Sequence, residues 1–241
     1  MSEVLKVPLF VEIIGEPESG KTHLSCLFPK PALFDTTAKG EGYVVLKKVC
    51  PEDWKKRYFR IRAYDEFDKQ LKIVKQQKAI FRTVIVDTSV ELRAQGGEAH
   101  LKELNKVKPR FSLMPEEWGA VNALIDTFIY TITNPADMGM NLVFTSQMQD
   151  EWADRKPTGR RIRKGYPNAN FQSDIRLFLE IKQQVDQSTM QYIDKYERTC
   201  RVVKNRFRDR VNPNEWIPFL KEFSWKGILG LTNLEAGEVV E

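Results

Sequence analysis

Between residues 9 and 22 the chain reads LFVEIIGEPESGKT, an apolar run that closes on the spacing Gly-x-x-x-x-Gly-Lys-Thr. No other stretch restricts the possible folds so sharply. A turn of this kind works only between a buried strand and a helix, so Leu9 to Ile14 are expected as strand and Lys21 to Phe28 as the helix behind it. The turn's backbone N–H groups and the positive end of that helix form a cradle for phosphate oxygens. Gly15, Glu16, Pro17, Glu18, Ser19 and Gly20, followed by Lys21, Thr22 and His23, are therefore the expected nucleotide-binding segment. Lys21 would reach the β- and γ-phosphates and the Thr22 hydroxyl would ligate Mg²⁺.

The rest of the chain supplies a domain for that loop. Pro29 and Pro31 end the first helix, and Ala32 to Phe34 read as a short strand closing on Asp35. Gly40 and Gly42 break the stretch from 36 to 56 into loop and short helix. Tyr58 to Tyr64 alternate as a strand, and Asp65 is placed to cap a helix from Glu66 to Gln77. Phe81 to Asp87, FRTVIVD, is β-branched, apolar and closed by a carboxylate. Residues 92 to 114, with Gly96 and Gly97, read as loop with a helix near 98–106. Pro115 to Thr133 form a helix whose Trp118, Val121, Ile125, Phe128 and Ile132 make one core-facing stripe.

Asn141 to Ser146 continue the strand series, followed by Gln147. Residues 150–173 are a long polar segment. Ile175 to Ile181 alternate as a strand, Met190 to Tyr196 pair with it across a turn near Asp186 to Ser188, and Thr199 to Lys204 add another. Strands alternating with helices predict an α/β fold with a largely parallel central sheet, extended by C-terminal antiparallel strands. At 241 residues this is one domain over 1–230, with an acidic, mobile tail over 231–241. No apolar run approaches the length of a membrane span and the N-terminus has no signal-peptide core, so a cytoplasmic protein is expected. Cys26, Cys50 and Cys200 are too few and too scattered for a disulfide framework, and are expected as reduced packing residues.

Asp87 is the natural carboxylate partner of Thr22 at a metal–nucleotide site. Hydrolysis also needs a group that orients or deprotonates water. Thr88 follows Asp87, and the second strand closes on Asp35-Thr36-Thr37 with Glu41 a few residues on. Lys204 and Arg206 lie two apart at a strand end, a cationic pair suited to phosphate. Arg155 to Lys164, RKPTGRRIRK, carries six cations in ten residues: Arg155, Lys156, Arg160, Arg161, Arg163 and Lys164. With Trp152, Tyr166 and Phe171 nearby, that segment could follow a nucleic-acid backbone while aromatics stack on bases, close as a lid over nucleotide phosphates, or stay solvated. The net charge of +5 permits an anionic partner without demanding one.

GEPESGKT, FRTVIVDTS, PEEWG, FTSQ and VVKNRF occur in the order found in the RecA/RadA-type recombinase ATPases. Over residues 8–210 the chain more closely resembles the compact AAA-type ATPases of phages and archaeal elements, some of which are single-strand annealing or recombination proteins. The resemblance implies a RecA-like P-loop NTPase that binds ATP and Mg²⁺ through Gly15, Gly20, Lys21 and Thr22, with Asp87 supporting the metal. Gln147 resembles the γ-phosphate sensor that couples nucleotide state to a DNA-binding loop, here 150–173. Lys204 and Arg206 resemble cations inserted into a neighbouring subunit's site, which implies a homo-oligomeric ring or filament acting on single-stranded DNA. Relatives read Asp-Thr-Glu where this chain has Asp35-Thr36-Thr37, so the water-activating glutamate is missing and Asp35 or Glu41 would have to replace it. Two other readings remain open on the residues alone: a nucleotide or small-molecule kinase, and an ATP-sensing regulator that does not hydrolyse.

Overall fold

The computed structural model describes residues 7–153, 156–185, 192–207 and 216–218. Arg155, Asp186 to Ser188, Met190 and the tail over 231–241 lie outside the described residues.

Among the described residues nine strands form one sheet: β1 (Phe10–Gly15), β2 (Pro31–Asp35), β3 (Tyr58–Arg60), β4 (Thr83–Asp87), β5 (Asn141–Ala153), β6 (Lys156–Lys164), β7 (Ile175–Val185), β8 (Tyr192–Asn205) and β9 (Trp216–Pro218). Their order is β3-β2-β4-β5-β1-β7-β8-β9, with β6 paired to β5 outside this path. From β3 to β7 all pairings are parallel, whereas β7·β8, β8·β9 and β5·β6 are antiparallel. This is a mixed α/β fold with a mostly parallel central sheet, extended by antiparallel strands at the β7 side, as expected. Strand β5 sits between β1 and β4, so the ends of the phosphate-loop strand and of the Asp87 strand are held one strand apart.

Parallel strands must be covered on both faces, and alternate residues of β1 show how. Val11 and Ile13 face a cluster with Leu24, Leu33, Ile85, Val143, Leu177 and Cys200, closed by helices α1 (Lys21–Cys26) and α2 (Gly42–Val49). Phe10 faces the other cluster, where its ring centroid lies 5.1 Å from that of Phe144 and the Phe67 and Phe128 rings meet at 4.4 Å. Helices α4 (Tyr64–Gln76), α5 (Ser89–Leu104) and α6 (Trp118–Thr133) cover that face, while the short α3 (Trp54–Arg57) leads into β3. Val121, Ile125, Phe128 and Ile132 are buried in the expected stripe of α6, with Ile129 beside them and Trp118 partly buried. Cys26, Cys50 and Cys200 are free thiols, and Cys26 and Cys200 are core residues.

Four expectations need correction. The loop expected from residue 92 is helix α5, because Gly96 and Gly97 serve packing and do not break the chain there. A Cβ on Gly97 would stand 2.7 Å from the Trp118 ring, so the absent side chain is what lets α5 approach α6. The polar segment from 150 is largely the antiparallel ribbon of β5 and β6, closed by the short helix α7 (Ala169–Gln172). The strand from Tyr58 ends at Arg60, and α4 begins at Tyr64 with Ala63 at its N-cap; Asp65 pairs instead with Lys69 at 2.9 Å. Finally, 192–196 and 199–204 are one continuous strand, β8, and not two.

Candidate functional site

The phosphate loop bridges β1 and α1, and two of its glycines are needed for distinct reasons. A Cβ on Gly15 would meet Ser19 Oγ at 2.6 Å and the Leu179 carbonyl at 2.7 Å, so only glycine fits beside β7. Gly20 has φ +96°, a left-handed conformation that other residues adopt only under strain. Lys21 points back into the loop, where Nζ donates to the carbonyls of Gly15 (3.0 Å) and Glu16 (2.6 Å). Burial lowers its pKa below the ordinary lysine value, opposed by the charges of Asp87 and Glu16. Ser19 Oγ is fully buried without a hydrogen-bond partner among the described residues, an orphaned polar atom inside the cradle. His23 and Glu18 are exposed, as is Pro17.

Asp87 closes β4 opposite this loop. Its Oδ2 accepts the Thr22 hydroxyl at 2.7 Å and its Oδ1 accepts that of Thr145, from β5, at 2.5 Å. Burial raises the Asp87 pKa, and the Thr145 and Thr22 hydrogen bonds work against that rise. A hydroxyl and a carboxylate in contact, beside a lysine resting on loop carbonyls, are the hard oxygen donors and the cation that a magnesium–triphosphate requires, so the residues fit that group. Gln147 stands level with Gly15 in the β1·β5 register and, two residues after Thr145, shares its face of the sheet.

Residues 8–211 match the family model described as AAA domain. This chain belongs to that family. Its fold and phosphate loop are those of a P-loop ATPase. No curated protein matches the sequence. Among solved structures, a KaiC-like protein from the hyperthermophilic archaeon Pyrococcus horikoshii OT3 is similar, with 14% identity, a TM-score of 0.49, and coverage of 87% of this chain and 88% of that one.

Past Gln147, the AAA domain's β5 pairs with β6, which carries the basic residues, and the cations expected to act alike there have different surroundings. Lys156, Arg160 and Lys164 are exposed on β6. Arg161 forms an ion pair with Glu16 of the phosphate loop at 2.6 Å and a second with Asp150 at 3.3 Å. Arg163 turns inward to Glu12, a fully buried carboxylate in the middle of β1, which also receives Arg176 Nε at 2.9 Å and the Ser146 hydroxyl at 2.6 Å. The aromatics divide as well. Trp152 and Phe171 are exposed, whereas Tyr166 is buried with its hydroxyl donating to Asp126 at 2.6 Å, so its ring has no free face for a base.

Lys204 and Arg206 lie toward the other end of the sheet, Lys204 level with Arg176 and Arg206 beyond the start of β7. Lys204 Nζ donates to the carbonyls of Asn170 and Phe171, both at 3.0 Å. Arg206 donates to Asp174 at 2.9 Å and to the Phe171 carbonyl at 2.8 Å. The pair thus covers the open carbonyls at the end of α7. At roughly 3.3 Å per residue, Gly15 lies about 10 Å or more along the sheet from Lys204, so neither cation serves the phosphate loop of the same chain.

Neither proposed substitute for the missing glutamate is poised to accept a proton. Asp35 is fully buried and accepts four hydrogen bonds, from the Thr37 amide and hydroxyl, the Gly42 amide and the Tyr58 hydroxyl. Glu41 is exposed beside Lys39. Sequence reasoning passed over Thr145 and Glu12. The second carried a signal, since a lone carboxylate in an apolar strand needs buried partners.

Proposed function

We propose that this AAA domain binds and hydrolyses ATP and uses the nucleotide to control a hold on single-stranded DNA, in recombination, annealing or replication. The observation that carries the reading is the course of β5. One strand touches Asp87 through Thr145, runs level with Gly15 at Gln147, and continues into the basic ribbon, whose Arg161 returns to Glu16. A γ-phosphate sensed at Gln147 therefore has a covalent path along β5 to the exposed Trp152 and on to Lys156, Arg160 and Lys164, which face solvent on β6. Among these groups the exposed cations neutralise backbone phosphates and Trp152 offers a stacking face. The same reading makes the protein a homo-oligomer, ring or filament, in which Lys204 and Arg206 leave the α7 carbonyls to reach a neighbour's nucleotide. A paired ribbon latched by buried ions is poorly suited to the hinged lid of a kinase, which favours the DNA reading over that one.

The test is fluorescence anisotropy of labelled oligo-dT across a salt series, with and without a non-hydrolysable ATP analogue. Replacing both Lys156 and Arg160 with alanine removes two phosphate contacts and should flatten the slope of log affinity against log salt by about 1.4. An unchanged slope, or affinity indifferent to nucleotide, counts against the proposal.

A further inference from the structure

Asp87 leads through Thr88, the N-cap, into α5, so the first turns of that helix begin at the metal-side carboxylate. Thr88, Glu91 and Gln95 follow at spacings of three and four and share one helix face. Each carries a buried side-chain oxygen with no hydrogen-bond partner among the described residues: Thr88 Oγ1, Glu91 Oε2 and Gln95 Oε1. Buried polar atoms are almost always satisfied by protein or by water, so three orphans in a row mark a strip that water serves. Glu91 and Gln95 line a cleft of about 450 Å³ whose opposite walls are Thr36, Thr37, Arg60 and Arg62, at the ends of β2 and β3. The cleft thus opens where the missing glutamate would have stood, and a carboxylate enters it from the other side.

The neighbouring carboxylates have other work. Asp35 is held by four hydrogen bonds, Asp87 by two threonines, Glu12 by two arginines and a serine, and Glu16 by Arg161, while Glu98, which also lines the cleft, is exposed two turns of α5 farther from Asp87. Resting on the ATPase reading above, we propose that Glu91 is the carboxylate that activates the hydrolytic water, in place of a glutamate at position 37. The water oxygen attacks the γ-phosphorus, the bond from that phosphorus to the β,γ-bridging oxygen breaks, and ADP leaves with that oxygen. The proton lost by the water passes to the Glu91 carboxylate, and inorganic phosphate is the second product. Burial, helped by the negative charges of Asp87 and Asp35 and opposed by a backbone hydrogen bond and the positive charge of Lys164, raises the Glu91 pKa, which makes it a stronger base than a solvated glutamate.

The experiment measures ATP turnover and, separately, ATP affinity on the full chain, with and without oligo-dT. Glu91→Gln keeps the shape and removes the base, so kcat should fall at least 100-fold while the Kd for ATP stays within threefold of the parent. Glu91→Asp, which keeps a carboxylate on a shorter stem, should recover part of that rate. A Glu91→Gln protein within fivefold of the parent kcat overturns the assignment, as does a loss of ATP affinity matching the loss of rate. Should Glu91→Gln fail to fold, Glu91→Asp decides alone: kcat down at least tenfold at unchanged Kd sustains the role, and full kcat removes it. Absence of turnover in the parent chain with or without oligo-dT would overturn both the role and the ATPase reading, whereas turnover that survives Glu91→Gln overturns the role alone.

Discussion

Replacing Arg163 with alanine separates the two roles that cations take on the ribbon. Glu12 is fully buried, and its carboxylate is shared by Arg163, Arg176 at 2.9 Å and Ser146 at 2.6 Å. Removing one partner of a buried ion pair costs about 3–5 kcal/mol when the other charge is left alone. Here Arg176 and Ser146 remain, so the loss is nearer one hydrogen bond to a charged group plus incomplete desolvation relief, about 2–3 kcal/mol. With a urea m-value of about 3 kcal/mol/M for a chain of this size, the unfolding midpoint should drop by roughly 0.7–1 M. Arg160→Ala, at an exposed position on the same strand, should stay within about 0.5 kcal/mol of the parent. A Glu12→Gln, Arg163→Ala double-mutant cycle should return a coupling of about 1 kcal/mol or more. If Arg163→Ala unfolds at the same urea concentration as Arg160→Ala, the inward ion cluster does not hold the ribbon, and the distinction between the two arginines fails.

Other outcomes follow from single contacts. Lys21→Ala should abolish measurable ATP binding in equilibrium dialysis; an unchanged Kd would remove the phosphate loop from the site. Gly97→Ala should destabilise by about 1–3 kcal/mol in thermal melts because its Cβ meets Trp118 at 2.7 Å, whereas Gly119→Ala, with nothing within 4 Å of the new methyl, should stabilise α6 by roughly 0.5–1 kcal/mol. Burial raises the Asp87 pKa, so its ionised form weakens the nucleotide-free fold as pH rises through and above the ordinary carboxylate range. Asp87→Asn should therefore raise the melting temperature without nucleotide at pH 7 and lose that advantage in acid, while weakening Mg²⁺-dependent ATP binding; a melting temperature below the parent's at pH 7 would contradict the sign.

What could be read from the residues alone was what neighbours in sequence decide. The phosphate loop, its flanking strand and the stripe of α6 each declare themselves within a single short stretch of sequence. Helix α5 did not, because Gly97 looks like a breaker until Trp118 is placed against it. Strand β6 did not either: all of its side chains but Arg163 are exposed, so no alternation announced it. Arg160, Arg161 and Arg163 are equivalent letters in a basic run, and only partners some 145 and 151 residues away, Glu16 and Glu12, tell them apart. Lys204 and Arg206 were legible as a pair, but not the carbonyls they cover.

Glu16 joins two contacts at opposite ends of one residue: its carbonyl receives Lys21 and its carboxylate receives Arg161. A phosphate that draws Lys21 away and a polyanion that draws Arg161 away therefore act on the same few atoms. Thermodynamic linkage makes such an exchange symmetrical, so the factor by which nucleotide alters the ribbon's affinity for its ligand must equal the factor by which that ligand alters affinity for nucleotide. Two titrations run in opposite order, each with the other ligand saturating, should give the same ratio, and Glu16→Ala should move both ratios together toward one.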